Sequence, residues 1–135
     1  MRTIKFRGKV KTTGMHFFAG LFIEGVWVYG EPHLYTKIPH IHISNNEKQP
    51  IDINTLGQFT GLTDKDGAEI YEGDIVELRE PNGMPNICKV EMCEKGYWCV
   101  SFGIHERIIL GFIDKNQITV IGNIHDKPEL LKNND

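Results

Sequence analysis

Short stretches in which apolar and polar residues alternate dominate the chain, and the first of them lies near the N-terminus. There the apolar positions and Gly8 face one way, and four cations face the other, namely Lys5, Arg7, Lys9 and Lys11. Since successive side chains of a strand point to opposite sides, this alternation predicts a half-buried β-strand. Two β-prone runs then flank Glu24-Gly25, and their spacing predicts a hairpin formed by residues 21–23 and 26–29.

Beyond residue 57 the predicted strands are short, and most are bounded by Gly or Pro. The string Tyr71-Glu72-Gly73-Asp74-Ile75-Val76 combines a tight turn with the start of a strand and resembles the opening of an SH3-like barrel. Residues 104–113 fit a helix face or a strand, and their β-branched content favours a strand. A further strand is predicted over 118–124, followed by a short helical turn at Asp126 and Pro128. About five short strands between residues 57 and 124 are typical of a small, closed or nearly closed barrel.

These elements predict an all-β fold. Its form is a small SH3-like β-barrel with additional N-terminal strands and a short C-terminal helical turn. A chain of 135 residues is the usual size of a single domain. Within residues 1–135 we assign the N-terminal strands to 1–56, the barrel to 57–126, and the turn and tail to 127–135.

The composition is that of an ordinary globular protein, with 40% hydrophobic and 24% charged residues. The cysteines Cys88, Cys93 and Cys99 are odd in number, and no apolar segment follows the charged N-terminus. The odd number of cysteines favours reduced thiols, and the missing apolar segment favours the absence of a secretion signal. No apolar run approaches the ~20 residues that span a bilayer. We therefore expect a cytoplasmic protein without membrane contact.

The net charge of −3 hides a split between the two parts of the chain. Residues 1–60 carry a formal charge of +3 and residues 61–135 a charge of −6. Such a split is typical of a basic binding face, or of halves that pair within or between subunits, so self-association is expected. The overall balance argues against a dedicated high-affinity DNA-binding domain, which is usually strongly basic.

The basic row Lys5, Arg7, Lys9 and Lys11 is the most suggestive binding feature of the sequence. Four cations on one side of a strand, with Trp27 and Tyr29 nearby, have the chemistry to hold a phosphate backbone and stack bases. The alternative is a solvated edge strand that lysines protect against aggregation. A third interpretation pairs the row with the acidic second half of the chain.

Histidines are concentrated in the first third of the chain. His40 and His42 share one face of a predicted strand, where two imidazoles reach a common zinc ion, and a third ligand would be His33 or Glu47. An i, i+2 histidine pair usually decorates a solvent face instead. From the sequence we therefore assign no metal and no cofactor.

Other candidate sites have simpler explanations. The C-x4-C-x5-C spacing differs from that of structural zinc sites, and Cys88 is expected to point into the core. Asp64-x-Asp66-Gly67 lacks the glycine and glutamate positions of a calcium loop, so it predicts a hairpin turn. No phosphate-binding loop, metalloprotease motif or catalytic triad is present. We therefore predict no catalytic residues and a protein that is not an enzyme.

Four parts of the chain together resemble the YopX family of phage and prophage proteins. They are Ile4-Lys5-Phe6-Arg7-Gly8, Trp27-Val28-Tyr29-Gly30, the run from Leu56 to Gly67 with its continuation from Ile70 to Val76, and Val120 to Asp126 with Pro128 to Leu131. The resemblance covers nearly the whole chain in order, although residues 79–118 add little to it. It implies an all-β fold and a gene carried by a phage or prophage, and it implies no catalytic residue.

Together these observations predict a phage or prophage accessory protein of unknown function, in the cytoplasm of the bacterial host. Its most favoured activity is non-enzymatic binding of a host or phage protein, because small barrels expose edge strands and loops that suit partner docking. The alternative is a nucleic-acid-binding β-barrel that uses the basic N-terminal strand.

Overall fold

The computed structural model describes residues 4–11, 13–16, 20–34, 39–44, 47–79, 83, 85–102 and 106–131. In these ranges the regular elements are β-strands and short 3-10 turns, which confirms the predicted all-β class. The chain divides into two compact units, residues 1–59 and residues 60–135. The single domain predicted over 1–135 stays a prediction. No helix in the described ranges has the length and apolar character needed to cross a bilayer.

The first unit is built from short antiparallel strands. Their bounds are β1 Phe6–Lys9, β2 Gly14–His16, β3 Gly20–Phe22, β4 Trp27–His33, β5 His40–Ser44, β6 Glu47–Pro50 and the beginning of β7 Gly57–Thr63. The main sheet has the order β6-β5-β4-β1-β7, while β2 and β3 form a separate pair. In this sheet β1 lies between two partners, with Arg7 opposite Tyr29 on β4 and opposite Gly57 on β7.

The two faces of this sheet have different chemistry because side chains alternate along each strand. One face carries the apolar core of the first unit, formed by Val10, Val28, Ile41 and Ile51 with Leu56 packed against it. The opposite face carries the cations of β1 and, across from them, Trp27 and Tyr29 of β4. The predicted half-buried strand at the N-terminus is thus confirmed.

The hairpin predicted around Glu24-Gly25 is only half right. The turn is present, since the Val26 N–H donates to the Ile23 carbonyl at 3.2 Å. However, β3 pairs with β2, and β4 pairs with β1 and β5. The reason is that the turn also bonds to Val10, whose backbone exchanges hydrogen bonds with Gly25 and Val26 and so draws β4 onto β1.

The second unit contains the rest of the strands. Their bounds are β8 Glu69–Tyr71, β9 Asp74–Leu78, β10 Asn86–Met92, β11 Trp98–Phe102, β12 Glu106–Ile109 and β13 Ile118–Asn123. The last five form an antiparallel sheet in the order β12-β11-β10-β9-β13, and β8 pairs with β7. Its core is a cluster of buried side chains: Ile70, Val76, Leu78, Cys88, Val90, Val100, Leu110 and Ile118.

The predicted barrel is not closed. The five-stranded sheet ends at β12 on one side and at β13 on the other, and these two strands are not neighbours. A bulge between Val120 and Gly122 distorts β13, and the turn after β7 occupies its outer edge, where the Lys65 N–H donates to the Ile118 carbonyl. The sheet therefore remains open, and its likeness to an SH3-type barrel stays a prediction.

The ambiguous stretch 104–113 contains a strand, as predicted, at Glu106–Ile109, and then a 3-10 turn at Leu110–Phe112. Residues 104 and 105 lie outside the described residues. The C-terminal helical turn is also confirmed as a 3-10 turn at Pro128–Leu131.

The carboxylate of Asp64 organises the turn between β7 and β8. Its Oδ1 accepts hydrogen bonds from the Asp66 and Ala68 N–H groups, and its Oδ2 accepts one from the Val120 N–H, all at 2.9 Å. Burial raises the pKa of Asp64, but the three N–H donors outweigh it and hold that pKa below its usual range. Both oxygens accept hydrogen bonds from backbone donors, and the predicted hairpin turn between β7 and β8 is confirmed.

A second carboxylate, that of Asp74, explains the turn in the sequence Tyr71-Glu72-Gly73-Asp74. The Tyr71 N–H donates to Asp74 Oδ2 at 2.7 Å across the turn between β8 and β9, and Asp74 is 1% exposed. Gly73 has a φ of +88°, which only glycine adopts without strain. Its N–H and carbonyl bond to Val90 and Ile124, so this turn joins two parts of the second unit.

Candidate functional site

The predicted basic row lies on the polar face of the first unit, but it is not a row of solvated cations. Arg7 is only 6% exposed and its guanidinium lies over the Trp27 ring, 4.7 Å from the centroid. Lys9 lies over the same ring at 5.7 Å, and Lys5 lies over the Phe59 ring at 5.2 Å. Lys11, beyond the end of β1, is exposed.

These contacts change what the face can do. A cation over an aromatic ring is held by the ring quadrupole, with about 0.5–1 kcal/mol at exposed sites and about 2 kcal/mol when desolvated. Trp27 therefore already stacks against two cations, and Phe59 is buried beneath a third. Base stacking on Trp27 would have to displace these contacts. The cations and aromatic rings that indicated nucleic-acid binding in the sequence are here in contact with one another.

The same face continues along β4 and β5 into a cluster of possible metal ligands. In the antiparallel register Glu31 lies opposite His42, and His33 lies opposite His40. The ligand atoms of Glu31, His33 and His42 lie within 4.8 Å of one another. The His33 and His42 rings meet edge to face, with centroids 5.2 Å apart and an interplanar angle of 62°.

The two imidazoles of this cluster, which we call the β4–β5 cluster (Glu31, His33, His42), each turn a nitrogen inward. Both Nε2 atoms are buried, and neither has a hydrogen-bond partner in the described part of the chain. Glu31 is exposed, so its carboxylate borders solvent. Gly30 permits this arrangement, because a Cβ at that position would overlap the carbonyl oxygen of His42.

The sequence placed the histidine pair on one strand, whereas the structure forms it across two. His40 and His42 share β5 as expected, but the partner of His42 in the cluster is His33 of β4. Of the two third ligands that the sequence offered, His33 belongs to the cluster, whereas the side chain of Glu47 lies outside the described residues. Glu31, which the sequence analysis did not name, completes the cluster. Glu31 and His33 are two residues apart on β4, the same spacing as His40 and His42 on β5, but the predicted strand ended at residue 29 and so left Glu31 out.

The cysteines separate into two environments. Cys88 lies in the core of the second unit, as predicted, and burial raises the pKa of its thiol to about 11. Burial also raises the pKa of Cys99, while the Lys95 and Tyr97 N–H groups lower that of the more accessible Cys93. None of the three belongs to the β4–β5 cluster.

The second unit presents an apolar surface at the end of β12. Phe112 is 83% exposed, and Ile109, the last residue of β12, is also exposed. The neighbours of Phe112 in the chain, Gly111 and Ile113, line a cavity of about 50 Å³. Its other lining residues are Leu62, Thr63, Ile70, Leu110, Lys115 and Ile118.

The fold thus defines a small all-β protein of antiparallel sheets. Its sequence matches the model of the YopX protein family over residues 5–132, nearly the whole chain. The chain therefore belongs to the YopX family, as its motifs indicated. No curated protein sequence matches it.

A solved structure shares the fold. The crystal structure of protein EF1440 from Enterococcus faecalis is similar to this chain, with 21% sequence identity and a TM-score of 0.51. The match covers 97% of this chain and 99% of EF1440. At this identity the likeness concerns the fold.

Proposed function

We propose that this protein is a non-enzymatic phage or prophage accessory module that binds a protein of the phage or of its bacterial host, in the host cytoplasm. The observation that carries the proposal is the exposure of Phe112, which is 83% exposed between Gly111 and Ile113, two residues that line a cavity. A large aromatic side chain left in water at such a position is typical of a binding surface.

The edges of the five-stranded sheet indicate how a partner would bind. At β13 the outer edge is occupied, because Ile118 and Val120 are bonded to Lys65 and Asp64. At β12, within the described ranges, β11 is the only strand neighbour. An extended segment of a partner can therefore add to β12 through backbone hydrogen bonds.

The test is a pull-down from nuclease-treated lysate of the bacterium that carries the gene, with Phe112→Ser as the variant. The control is Tyr97→Ser, because Tyr97 is an exposed aromatic residue of the same unit, at 54%. The proposal expects a stoichiometric protein that Phe112→Ser loses and Tyr97→Ser retains. Equal capture by all three proteins, or turnover of a substrate that a point substitution abolishes, would contradict it.

The second candidate is nucleic-acid binding through the polar face of the first unit. The observation in its favour is that Lys5, Lys9 and Lys11 follow one strand beside Trp27. It is the weaker candidate because Arg7 is buried and the Trp27 ring is already in contact with two cations.

The two candidates differ in their response to salt and to charge. Nucleic-acid binding predicts affinity for oligonucleotides that falls steeply with salt and is lost when Lys5, Lys9 and Lys11 are changed to Gln. The matched control changes Lys65, Lys95 and Lys127, three exposed lysines of the second unit, to Gln. If both triple variants bind alike, the basic strand is not the site.

A further inference from the structure

We infer that the β4–β5 cluster, Glu31, His33 and His42, binds a divalent transition metal of the zinc class. Two imidazoles and a carboxylate are ligands that zinc takes in three-ligand protein sites, which keep a fourth position for water or another group. The inference is independent of the proposed partner. It revises the assignment of no metal made from the sequence.

The geometry requires only a small adjustment. Ligand atoms bound at about 2.0–2.2 Å to a tetrahedral zinc ion lie about 3.4 Å from one another. In the cluster the corresponding atoms lie within 4.8 Å of one another. The three atoms therefore have to approach one another before all of them bind one ion, and the side-chain torsions of Glu31, His33 and His42 are the freedom that permits it.

The buried nitrogens argue for a ligand more directly. A buried polar atom without a partner is costly, and each one in a folded protein calls for an explanation. In the described part of the chain, His33 and His42 each bury an Nε2 without a hydrogen bond, and the two rings meet edge to face. A metal ion between them satisfies both nitrogens at once, and the Glu31 carboxylate offsets its charge.

The strand pairing fixes the three ligands on a rigid frame. Glu31 and His42 are directly opposite in the β4–β5 ladder, and His33 lies two cross-strand pairs further along, on the same face. His40 occupies the position opposite His33 but is outside the group whose donor atoms converge. The same pair of strands therefore offers His40 as a control histidine that lies beside the site but outside it.

The experiment uses the full chain without a histidine tag, stripped of metal, and titrated with Zn²⁺ by calorimetry and with Co²⁺ by visible absorption. We expect one ion per chain. Glu31→Gln, His33→Gln and His42→Gln should each weaken Zn²⁺ binding by at least about 10–100-fold, the loss typical of removing even an outer-sphere partner. His40→Gln and His125→Gln should bind like the wild type.

Three results would overturn the inference. The first is that the wild type binds neither Zn²⁺ nor Co²⁺. The second is that the control variants lose binding while the cluster variants keep it. The third is a thiolate-to-cobalt charge-transfer band, which would assign the metal to the cysteines. Because a variant can fail to fold, proton NMR of the wild type with Co²⁺ supplies a second readout. Two histidines, His33 and His42, should show shifted imidazole resonances, and a different pair would contradict the assignment.

Discussion

At the scale of single residues, Asp64 shows how one side chain can hold distant parts of a unit together. Its carboxylate receives three backbone N–H groups, two within its own turn and one from Val120 on β13. Hydrogen bonds to an ionised acceptor are worth more than those between neutral groups. Asp64 therefore has a structural role, in a segment whose Asp-x-Asp-Gly sequence is similar to the start of a calcium loop.

Asp64→Asn is expected to lower the free energy of unfolding by about 1–3 kcal/mol, because the amide offers one acceptor where the carboxylate offers two. The Asp64 pKa is lowered in the folded state, so the stability it adds is present above the pKa of the unfolded chain and is lost as pH falls through the folded pKa. The difference between wild type and variant, measured by urea unfolding, should thus be constant near neutral pH and shrink below about pH 4.

The control for this measurement is Asp66→Asn in the same turn, where the aspartate side chain is exposed. It should stay within about 0.5 kcal/mol of wild type. Equal effects of the two substitutions would show that the turn needs negative charge and not the specific bonds of Asp64.

The cysteines give a second expectation at this scale. At pH 7.5 iodoacetamide should modify Cys93 first, because backbone donors lower its pKa, whereas burial raises the pKa of Cys88 and Cys99. Trypsin places the three in different peptides, 80–89, 90–95 and 96–107, so mass spectrometry reads each thiol separately. Faster modification of Cys88 than of Cys93 in the native protein would contradict this order.

At the scale of elements, alternation predicted where strands lie but not which strands pair. The buried positions Val76, Leu78 and Cys88 follow the period-two pattern that sequence alone shows. Pairing depends on contacts far apart in the chain, such as β1 with β7, and no local pattern records them. For the same reason the sequence named His33 only as one of two alternative third ligands beside His40 and His42, and it missed Glu31.

Gly30 tests the pairing of β4 with β5. Gly30→Ala should lower the free energy of unfolding by about 1–3 kcal/mol, because the new Cβ overlaps the His42 carbonyl oxygen and forces the strands apart. Calorimetric unfolding measures the loss. The matched control is Gly111→Ala, where a Cβ meets nothing within 4 Å, and an equal loss there would contradict the overlap as the cause.

At the scale of the whole molecule, each unit has a hydrophobic core of its own. Ile51 belongs to the core of the first unit and Ile70 to that of the second, and both are completely buried. Deleting buried methyl groups leaves a cavity that costs about 2–5 kcal/mol for Ile→Ala. The two substitutions are therefore chemically matched probes of the two cores.

We expect Ile51→Ala to speed amide hydrogen exchange in β4 and β5 and to leave β9 to β11 protected, and Ile70→Ala to do the reverse. Mass-spectrometric exchange resolved to peptides makes the comparison. A uniform loss of protection in either variant would show instead that the two units unfold as one cooperative structure.

The unequal edges of the five-stranded sheet limit the stoichiometry of any strand-mediated assembly. Because Asp64 and Lys65 close β13, addition can use only β12 in the described sheet. Two copies that meet through β12 use up the remaining edge of each five-stranded sheet, so assembly through this sheet stops at a closed pair. The Asp64 carboxylate, which orders the turn between β7 and β8, thereby also blocks strand addition at β13.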